Sequence, residues 1–211
     1  MTRICAVFAA VIVACTAGLA GCAGRMQGRQ DVRIGSGRWV EYRHSRQGFR
    51  LRLPSELRVY LEKQNDREWA AQNMMPFDYV NFRPQGRGFE GENVFELGLG
   101  VHWNRDRLGT REFADKKDDG LRSAGARIEI IRQARVTVAG IAGVRDDFRI
   151  RQPSGWTSYS RIVFPSADTY IVLLCTTGAD RPVAAYERVF RNIADGFVMP
   201  QESLDRGKNP L

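Results

Sequence analysis

Apolar and polar residues alternate along most of the chain between Trp39 and Thr176. A period of two is typical of strands that bury one side. The pattern predicts strands at Trp39 to Tyr42, Phe49 to Leu53, Tyr79 to Phe82, Val94 to Trp103, Arg127 to Gln133, Arg135 to Val138, Val144 to Arg151, Trp156 to Phe164 and Thr169 to Thr176. Turn residues separate these runs, so neighbouring strands are expected to pair as antiparallel hairpins.

Three segments have helical rather than strand spacing. A short helix is predicted around Asp66 to Met74, and a second over Arg111 to Ser123 with Thr110 as its cap. A closing helix places Tyr186, Val189, Phe190, Ile193 and Phe197 on one face, a stripe wide enough to cover a sheet. The fold class is therefore α+β, a single-domain α/β/α sandwich with a central, mainly antiparallel β-sheet and a C-terminal helix packed on one face. The topology of residues 57–91 is left unassigned.

The strand register depends on the loop lengths. A three-residue loop from Pro153 to Gly155 places Asp147 opposite Arg161 and Phe148 opposite Ser160. A four-residue loop from Pro165 to Asp168 places Ile162 opposite Ile171. The predicted inner face then consists of Phe148, Ile150, Ile162, Phe164, Ile171 and Leu173.

The predicted outer face combines apolar and basic side chains. It carries Tyr159, Val163, Tyr170, Val172 and Leu174 beside Arg149, Arg151 and Arg161. This face is too apolar to be wholly solvated, so a second helical layer is expected over part of it. The three arginines are expected at its margin, as a site for an anionic ligand.

The N-terminus predicts export and lipidation. An apolar run from Ile4 to Leu19, preceded by Arg3, is built like a secretory signal peptide and is short for a membrane span. The sequence Leu19-Ala20-Gly21-Cys22 that ends it resembles the lipobox of bacterial lipoproteins, which implies a covalent lipid on Cys22. The alternative is an ordinary signal peptide that a cysteine happens to follow.

These features divide the chain into four parts. Residues 1–21 are the predicted signal peptide, 22–37 a lipidated N-terminus and flexible tether, 38–200 the domain, and 201–211 a disordered tail. Ala23 after the lipidated cysteine resembles the outer-membrane sorting preference of some Gram-negative bacteria. The expected location is the bacterial cell envelope, anchored in the outer membrane and facing the periplasm.

Three sequence signatures resemble the PsbP-like α/β sandwich family, to which DcrB-type bacterial lipoproteins also belong. They are Gln47 to Pro54 (QGFRLRLP), Val138 to Gly143 (VAGIAG) and the aromatic stripe from Tyr186 to Phe197. The segment 57–91 departs from the pattern, since it is longer and more charged. The resemblance implies the sandwich fold and an accessory, non-catalytic role, and it supplies no shared catalytic residues.

The chain is basic, with a formal net charge of +8. An exported protein rarely meets nucleic acid, so anionic lipid or envelope polymer is the better class of charged partner, and a merely solvated basic surface is the alternative. Of the four cysteines, Cys5 and Cys15 leave with the signal peptide and Cys22 carries the lipid. Cys175 remains alone in an apolar run, which predicts a buried thiol, no internal disulfide and no disulfide-linked partner.

No catalytic or metal-binding constellation is visible. The only histidines, His44 and His102, lie far apart in sequence, and the residues offer no zinc spacing. The pair Asp146-Asp147 lies on a strand, so its two carboxylates point to opposite faces. Gly86 to Gly91 matches the dinucleotide-binding glycine pattern, but a strand rather than a helix follows it. No metal and no cofactor is expected apart from the lipid on Cys22.

The sequence therefore favours a membrane-anchored lipoprotein that acts as a non-catalytic binding or accessory module for an envelope protein complex. The first alternative is a binder of anionic lipid or cell-envelope polymer. An enzyme of unknown type is the third.

Overall fold

Nine strands and three helices form in the part of the chain that the computed structural model describes, residues 34–35, 37–85, 95–153, 155–177 and 186–200. The strands are β1 (Trp39–Arg43), β2 (Arg50–Pro54), β3 (Leu57–Gln64), β4 (Asp78–Pro84), β5 (Glu96–Trp103), β6 (Ile128–Val138), β7 (Ile141–Gln152), β8 (Gly155–Ser166) and β9 (Thr169–Thr177). The helices are α1 (Arg67–Gln72), α2 (Thr110–Ser123) and α3 (Glu187–Asp195). The predicted signal peptide, the lipid site and the tail lie outside the described residues.

Seven strands form one antiparallel sheet in the order β3-β4-β5-β9-β8-β7-β6, and β1 and β2 form a separate hairpin. Backbone hydrogen bonds of 2.9 Å in both directions between Arg50 and Val198 join that hairpin to the chain after α3. The hairpin and α3 cover one face of the sheet, and α2 covers the other. The predicted α+β sandwich with a C-terminal helix on one face is confirmed.

The α3 side holds the larger apolar core. The closing helix buries the predicted stripe, with Phe190 and Ile193 wholly enclosed. The hairpin contributes Leu51 and Leu53, and the sheet contributes Phe95, Leu97, Leu99, Ile162, Phe164, Ile171 and Leu173. Each of these strands buries alternate residues on this face, as the period of two predicted.

The α2 side holds a smaller core. Phe113 and Ala114 of α2 pack on Val144, Val163, Tyr170 and Val172 of the sheet. The Phe113 and Tyr170 rings stack with centroids 4.4 Å apart. The predicted second helical layer over the outer face is therefore present. Helix α2 begins one residue before the prediction, with Gly109 rather than Thr110 at the N-cap, and the Gly109 N–H donates to the Glu112 side chain at 3.3 Å.

The predicted register between β7 and β8 is wrong by one residue. Gln152 pairs with Gly155, so two residues rather than three separate the strands, and Arg161 lies opposite Asp146 instead of Asp147. Gly155 has a positive φ of 132°, but it begins β8 rather than ending the loop. Because side chains alternate along a strand, the slip moves one strand's whole set to the other face.

With the correct register, the residues of the predicted inner face lie on two different faces of the sheet. Ile162, Phe164, Ile171 and Leu173 lie in the α3-side core. Phe148 and Ile150 lie on the α2 side, where Phe148 stacks on Tyr159 at 5.2 Å between ring centroids. The β8–β9 loop is also shorter than predicted, with Ser166 paired to Thr169, but this shift of two residues keeps the faces.

Both edge strands contain a β-bulge. In β3 the register shifts between Val59 and Leu61, and in β6 it shifts between Ile130 and Arg132. Strand β3 was not predicted, because almost all of its side chains are exposed and no face alternates. Strand β6 joins two predicted strands into one. A bulge interrupts the ladder locally and so limits the pairing of the edge with another strand at that point only.

An arginine on β7 anchors α3 to the sheet. Arg145 is buried and makes a two-pronged ion pair with Glu187 of α3. Its Nε donates to Asp147 at 2.9 Å, and Asp147 also accepts from the Ser160 hydroxyl at 2.6 Å. The bond from Arg145 is the main cause that holds the pKa of Glu187 down at about 2.

In the described part of the chain, no helix has the length and apolar character needed to cross a membrane.

Substitution of Gly143 by alanine tests the packing between β7 and β8. A Cβ at this position lies 2.6 Å from the Val163 carbonyl oxygen and 3.0 Å from the Phe164 Cβ, so the strands must move apart. We expect Gly143→Ala to lower the free energy of unfolding by about 1–3 kcal/mol. Urea denaturation provides the measurement.

The control is Gly120→Ala, because a Cβ at Gly120 in helix α2 meets nothing within 4 Å. Alanine is the better helix former, so this variant should gain about 0.5–1 kcal/mol. Equal effects of the two substitutions would contradict the close approach of the strands.

Candidate functional site

The three arginines that the sequence placed together, Arg149, Arg151 and Arg161, lie on two different faces of the sheet. Arg161 pairs with Asp146 and faces α2, whereas Arg149 and Arg151 face the α3 side. The prediction of one anionic-ligand margin is therefore wrong in its geometry, and the one-residue change of register is the reason. The lipid-attachment residue Cys22 lies outside the described residues.

Arg161 is a buried structural residue. Only 2% of it is exposed, and its guanidinium donates to Asp118 of α2 at 2.7 and 3.2 Å and to Asp146 at 2.7 Å. Asp146 also accepts from Arg111 at 2.7 Å. Burial opposes the charge of Arg161, but these bonds outweigh it and raise its pKa. Arg161 thus fixes α2 on the sheet and is not accessible to a ligand.

Arg149 and Arg151 remain neighbours and share an aromatic partner. The Arg149 and Arg151 guanidinium carbons lie 4.6 and 5.7 Å from the centroid of the Trp156 ring. Arg149 also donates to the Glu129 carboxylate at 2.7 and 2.9 Å. The cation–π contact and the ion pair together hold the Arg149 guanidinium in a defined position, and Arg151 lies against the same ring.

The β6–β7 pairing adds a further arginine to this group. Arg127 precedes β6, and its carbonyl accepts from the Arg151 N–H at 3.0 Å, which places the two residues side by side. Because alternate residues share a face, Arg127, Arg149, Arg151 and Trp156 form one patch on the α3 side of the sheet. We call these four residues the arginine–tryptophan face. Sequence reasoning missed Arg127 and Trp156, since only the correct register brings them together.

The two histidines occupy separate buried sites. His44 lies in the β1–β2 turn, where its Nδ1 accepts from the Gln47 N–H at 3.2 Å and its Nε2 lies 3.5 Å from Asp78. Burial lowers the pKa of His44 despite the nearby carboxylate. His102 packs edge-on against Phe113 beneath α2, and burial lowers its pKa well below the usual value. Each ring is enclosed within its own cluster, which suits a structural role.

Asp78 is a wholly buried carboxylate that orders the turn containing His44. It accepts from Arg46 at 2.6 to 3.1 Å and from the Gln47 side chain at 3.1 Å. Burial opposes its charge, but the bonds from Arg46 and Gln47 outweigh that effect and lower its pKa. The cluster joins the hairpin to β4, and its carboxylate is already occupied by these donors.

Lys117 belongs to α2, and its side chain lies close to Arg161. Its Nζ donates to the Met74 carbonyl at 2.9 Å and lies 5.9 Å from the Phe113 ring centroid. Burial, with the Arg161 charge as a second cause, lowers the pKa of Lys117 to about 7. Met74 has a positive φ of 55°, so the amine stabilises a strained turn after α1.

The remaining candidate groups do not form a reactive site. Cys175 is completely buried, as predicted, and burial raises the pKa of its thiol. Asp146 and Asp147 point to opposite faces, also as predicted. Among the residues that the structure describes, no group of His, Cys, Asp and Glu side chains is placed to hold a metal ion. The glycine pattern Gly86 to Gly91 lies outside those residues.

One small cavity lies between α1 and α2. Its volume is about 150 Å³, and Met74, Trp103 and Phe113 contribute to its walls. Its charged groups include Asp106 and Lys116, which form an ion pair with each other at 2.5 Å. A cavity of this size is below the usual range for organic ligands, which is about 300–1,000 Å³. A second, open depression of about 800 Å³ runs along the first turns of α2. Its two basic side chains, Arg111 and Lys116, already pair with Asp146 and Asp106. The arginine–tryptophan face is therefore the better candidate site.

Comparisons with known proteins identify the fold. The chain is similar to cyanobacterial PsbP (CyanoP) from Synechocystis sp. PCC 6803, with a TM-score of 0.52 and 15% identity over 85% of this chain and 100% of that one. A variant of the protein Mog1 gives a TM-score of 0.57 at 10% identity, over 80% of this chain and 99% of that one. A protein of unknown function from Pseudomonas aeruginosa gives 0.50 at 11% identity, over 78% and 99%.

These similarities show that the fold is PsbP-like, as the sequence resemblance implied. No family model matches the sequence. A search of curated proteins finds no match either.

Replacement of Arg161 tests its structural role. Arg161→Leu leaves Asp118 and Asp146 buried without their shared counter-charge, so we expect a loss of about 3–5 kcal/mol in the free energy of unfolding. Arg149→Leu is the control, because its ion pair with Glu129 is exposed and worth under about 1 kcal/mol. Similar losses in the two variants, measured by urea denaturation, would show that Arg161 does not act as a buried anchor.

The lowered pKa of Lys117 predicts a pH-dependent stability. An unfolded lysine titrates near about 10.4, whereas Lys117 in the folded chain titrates at about 7. Above pH 7 the unfolded state therefore binds more protons at this residue, and the free energy of unfolding rises with pH. We expect Lys117→Met to remove this rise between about pH 7 and 8.5, below the range in which unfolded cysteine and tyrosine ionise. A parallel pH dependence in the wild type and the variant would exclude a neutral Lys117.

Proposed function

We propose that this chain is an exported, DcrB-type lipoprotein that serves as a non-catalytic accessory module for a protein complex of the bacterial cell envelope. The sequence Leu19-Ala20-Gly21-Cys22 supports a lipid anchor on Cys22, and Ala23 after it supports a place in the outer membrane, facing the periplasm. The module contacts its protein partner through the arginine–tryptophan face.

The observation that carries this proposal is the arrangement of Arg149 and Arg151 around Trp156 on an accessible part of the sheet. Tryptophan and arginine are among the residues that are enriched in interface hot spots. Their contacts with each other and with Glu129 already restrict their rotamers. Less side-chain entropy is then lost on binding, which favours association.

A non-catalytic role is supported by the way the described ionisable groups are used. Arg161 with Asp118 anchors α2, and Arg145 with Glu187 anchors α3. His44 and His102 lie in separate buried clusters. These groups have structural tasks, whereas Arg127 and Arg151 of the arginine–tryptophan face are exposed and Arg149 and Trp156 are partly exposed.

Binding of anionic lipid or envelope polymer is a second candidate, supported by Arg127 and Arg151, whose charges have no carboxylate partner among the described residues. Each basic residue held near an anionic surface contributes on the order of 1 kcal/mol. Arg161 is buried, however, and Glu129 neutralises Arg149. A protein interface therefore fits this mixture of aromatic and paired charged groups better than a lipid surface does.

A photo-reactive amino acid at Ser158, which faces the same side of the sheet as Arg149, tests the proposal in cells. The full-length protein should give a cross-linked adduct of defined mass in the membrane fraction. We expect the Arg151→Glu, Trp156→Ala double variant to lose most of that adduct while it remains folded and membrane-bound.

Two controls define the result. Arg188→Glu changes an exposed arginine of α3 outside the face and should keep the adduct. Cys22→Ser removes the predicted lipid site and should release the protein from the membrane or leave it with an uncleaved signal. An adduct that persists in the double variant would exclude the face as the interface, and normal membrane association of Cys22→Ser would exclude the anchor.

A further inference from the structure

Strand β6 forms one edge of the seven-stranded sheet. It pairs with β7 on one side, and no strand of the described residues pairs with its other side. Its bulge lies between Ile130 and Arg132, so the ladder is regular from Arg132 to Val138. Such an edge presents backbone N–H and C=O groups that an extended chain can pair with.

The regular part of this edge is basic on both faces. Arg132 lies opposite Asp147 and faces the α3 side, whereas Arg135 lies opposite Val144 and faces the α2 side. Both side chains are exposed, and neither forms a salt bridge with a described residue. The stretch Arg132 to Val138 contains no acidic residue. Guanidinium groups therefore flank this backbone edge above and below the sheet.

The two arginines determine which kind of strand can pair with this edge. A second copy of the same strand brings two further guanidiniums and no carboxylate, and like charges across a ladder destabilise it. A strand with carboxylates on both faces compensates both arginines. Opposite-charge pairs across strands are favourable, and the backbone bonds supply affinity that does not depend on sequence.

We propose that the edge of β6 from Arg132 to Val138 binds an extended acidic segment of the protein partner by strand addition. This proposal rests on the proposed function in that the partner is a protein. It assigns that partner a chemistry, acidic residues spaced to meet Arg132 and Arg135 on opposite faces. The adjacent arginine–tryptophan face then contacts the rest of the partner.

The test uses the full-length chain in detergent and a fluorescent peptide of about eight residues. The peptide carries two glutamates spaced as Arg132 and Arg135 are, with threonine and valine elsewhere. We expect saturable binding by fluorescence anisotropy that weakens at least about tenfold between about 50 and 300 mM salt. The same peptide with lysine in place of glutamate should not bind.

Variants of the chain locate the site. Arg132→Glu, Arg135→Glu should weaken binding at least about tenfold. Arg58→Glu is the matched control, because Arg58 is an exposed arginine on β3, the opposite edge strand. Circular dichroism verifies that each variant is folded. Equal loss in the control variant would overturn the assignment to β6.

A peptide with N-methyl groups on alternate residues separates strand addition from simple charge attraction. It keeps both carboxylates but loses the backbone donors, so its affinity should fall at least about tenfold. Bound unmodified peptide should also slow hydrogen exchange within Arg132–Val138. Equal affinity of the two peptides, or no binding of either, would overturn strand addition.

The two proposals fail separately. If no peptide binds while the cross-link at Ser158 still depends on Arg151 and Trp156, the partner is a protein that does not add a strand. If the peptide binds but the cross-link does not depend on those residues, the β6 edge is a binding site and the arginine–tryptophan face is not.

Discussion

The pairing of Asp146 with Arg161 across β7 and β8 is the constraint on which the rest of the structure depends. It places Arg161 on the α2 side and Arg145, one position before Asp146, on the α3 side. Each guanidinium then meets the carboxylate of a different helix, Asp118 or Glu187. A slip of one residue would turn one of the two strands over, so that either Arg145 or Arg161 would face the layer that lacks its partner. The register and the two helical layers are therefore fixed together.

The arrangement of the surface follows from the same register. It buries Arg161 and turns Arg149 and Arg151 to the face where Trp156 lies. The role of an arginine in this protein therefore depends on its position along the strand. Arginines near the middle of β7 and β8 hold the layers together, and arginines toward the ends of the strands remain available to other molecules.

Sequence patterns predicted the positions of the strands and helices better than the register between paired strands. Alternation found most strands, and the aromatic stripe found α3, because each buries one definite side. Both faces of β7 and β8 are covered, however, so alternation there does not say which face a residue takes. Ala167 adopts the left-handed backbone conformation, with a φ of 51°. The loop between β8 and β9 is therefore shorter than its composition suggests. Asp118 lies 43 residues from Arg161, and no local signal links them.

Both helices make apolar contacts and ion pairs with the sheet, but the apolar core is larger beneath α3, and this has a consequence for local unfolding. Beneath α3 lies an apolar core with Phe190 and Ile193, whereas the layer beneath α2 includes Arg161, Asp118 and Lys117. Charged and polar groups recover hydration when they meet water, but apolar groups do not. Detachment of α2 therefore costs less free energy than detachment of α3. We therefore expect α2 to separate from the sheet more readily than α3, while the α3-side core stays closed.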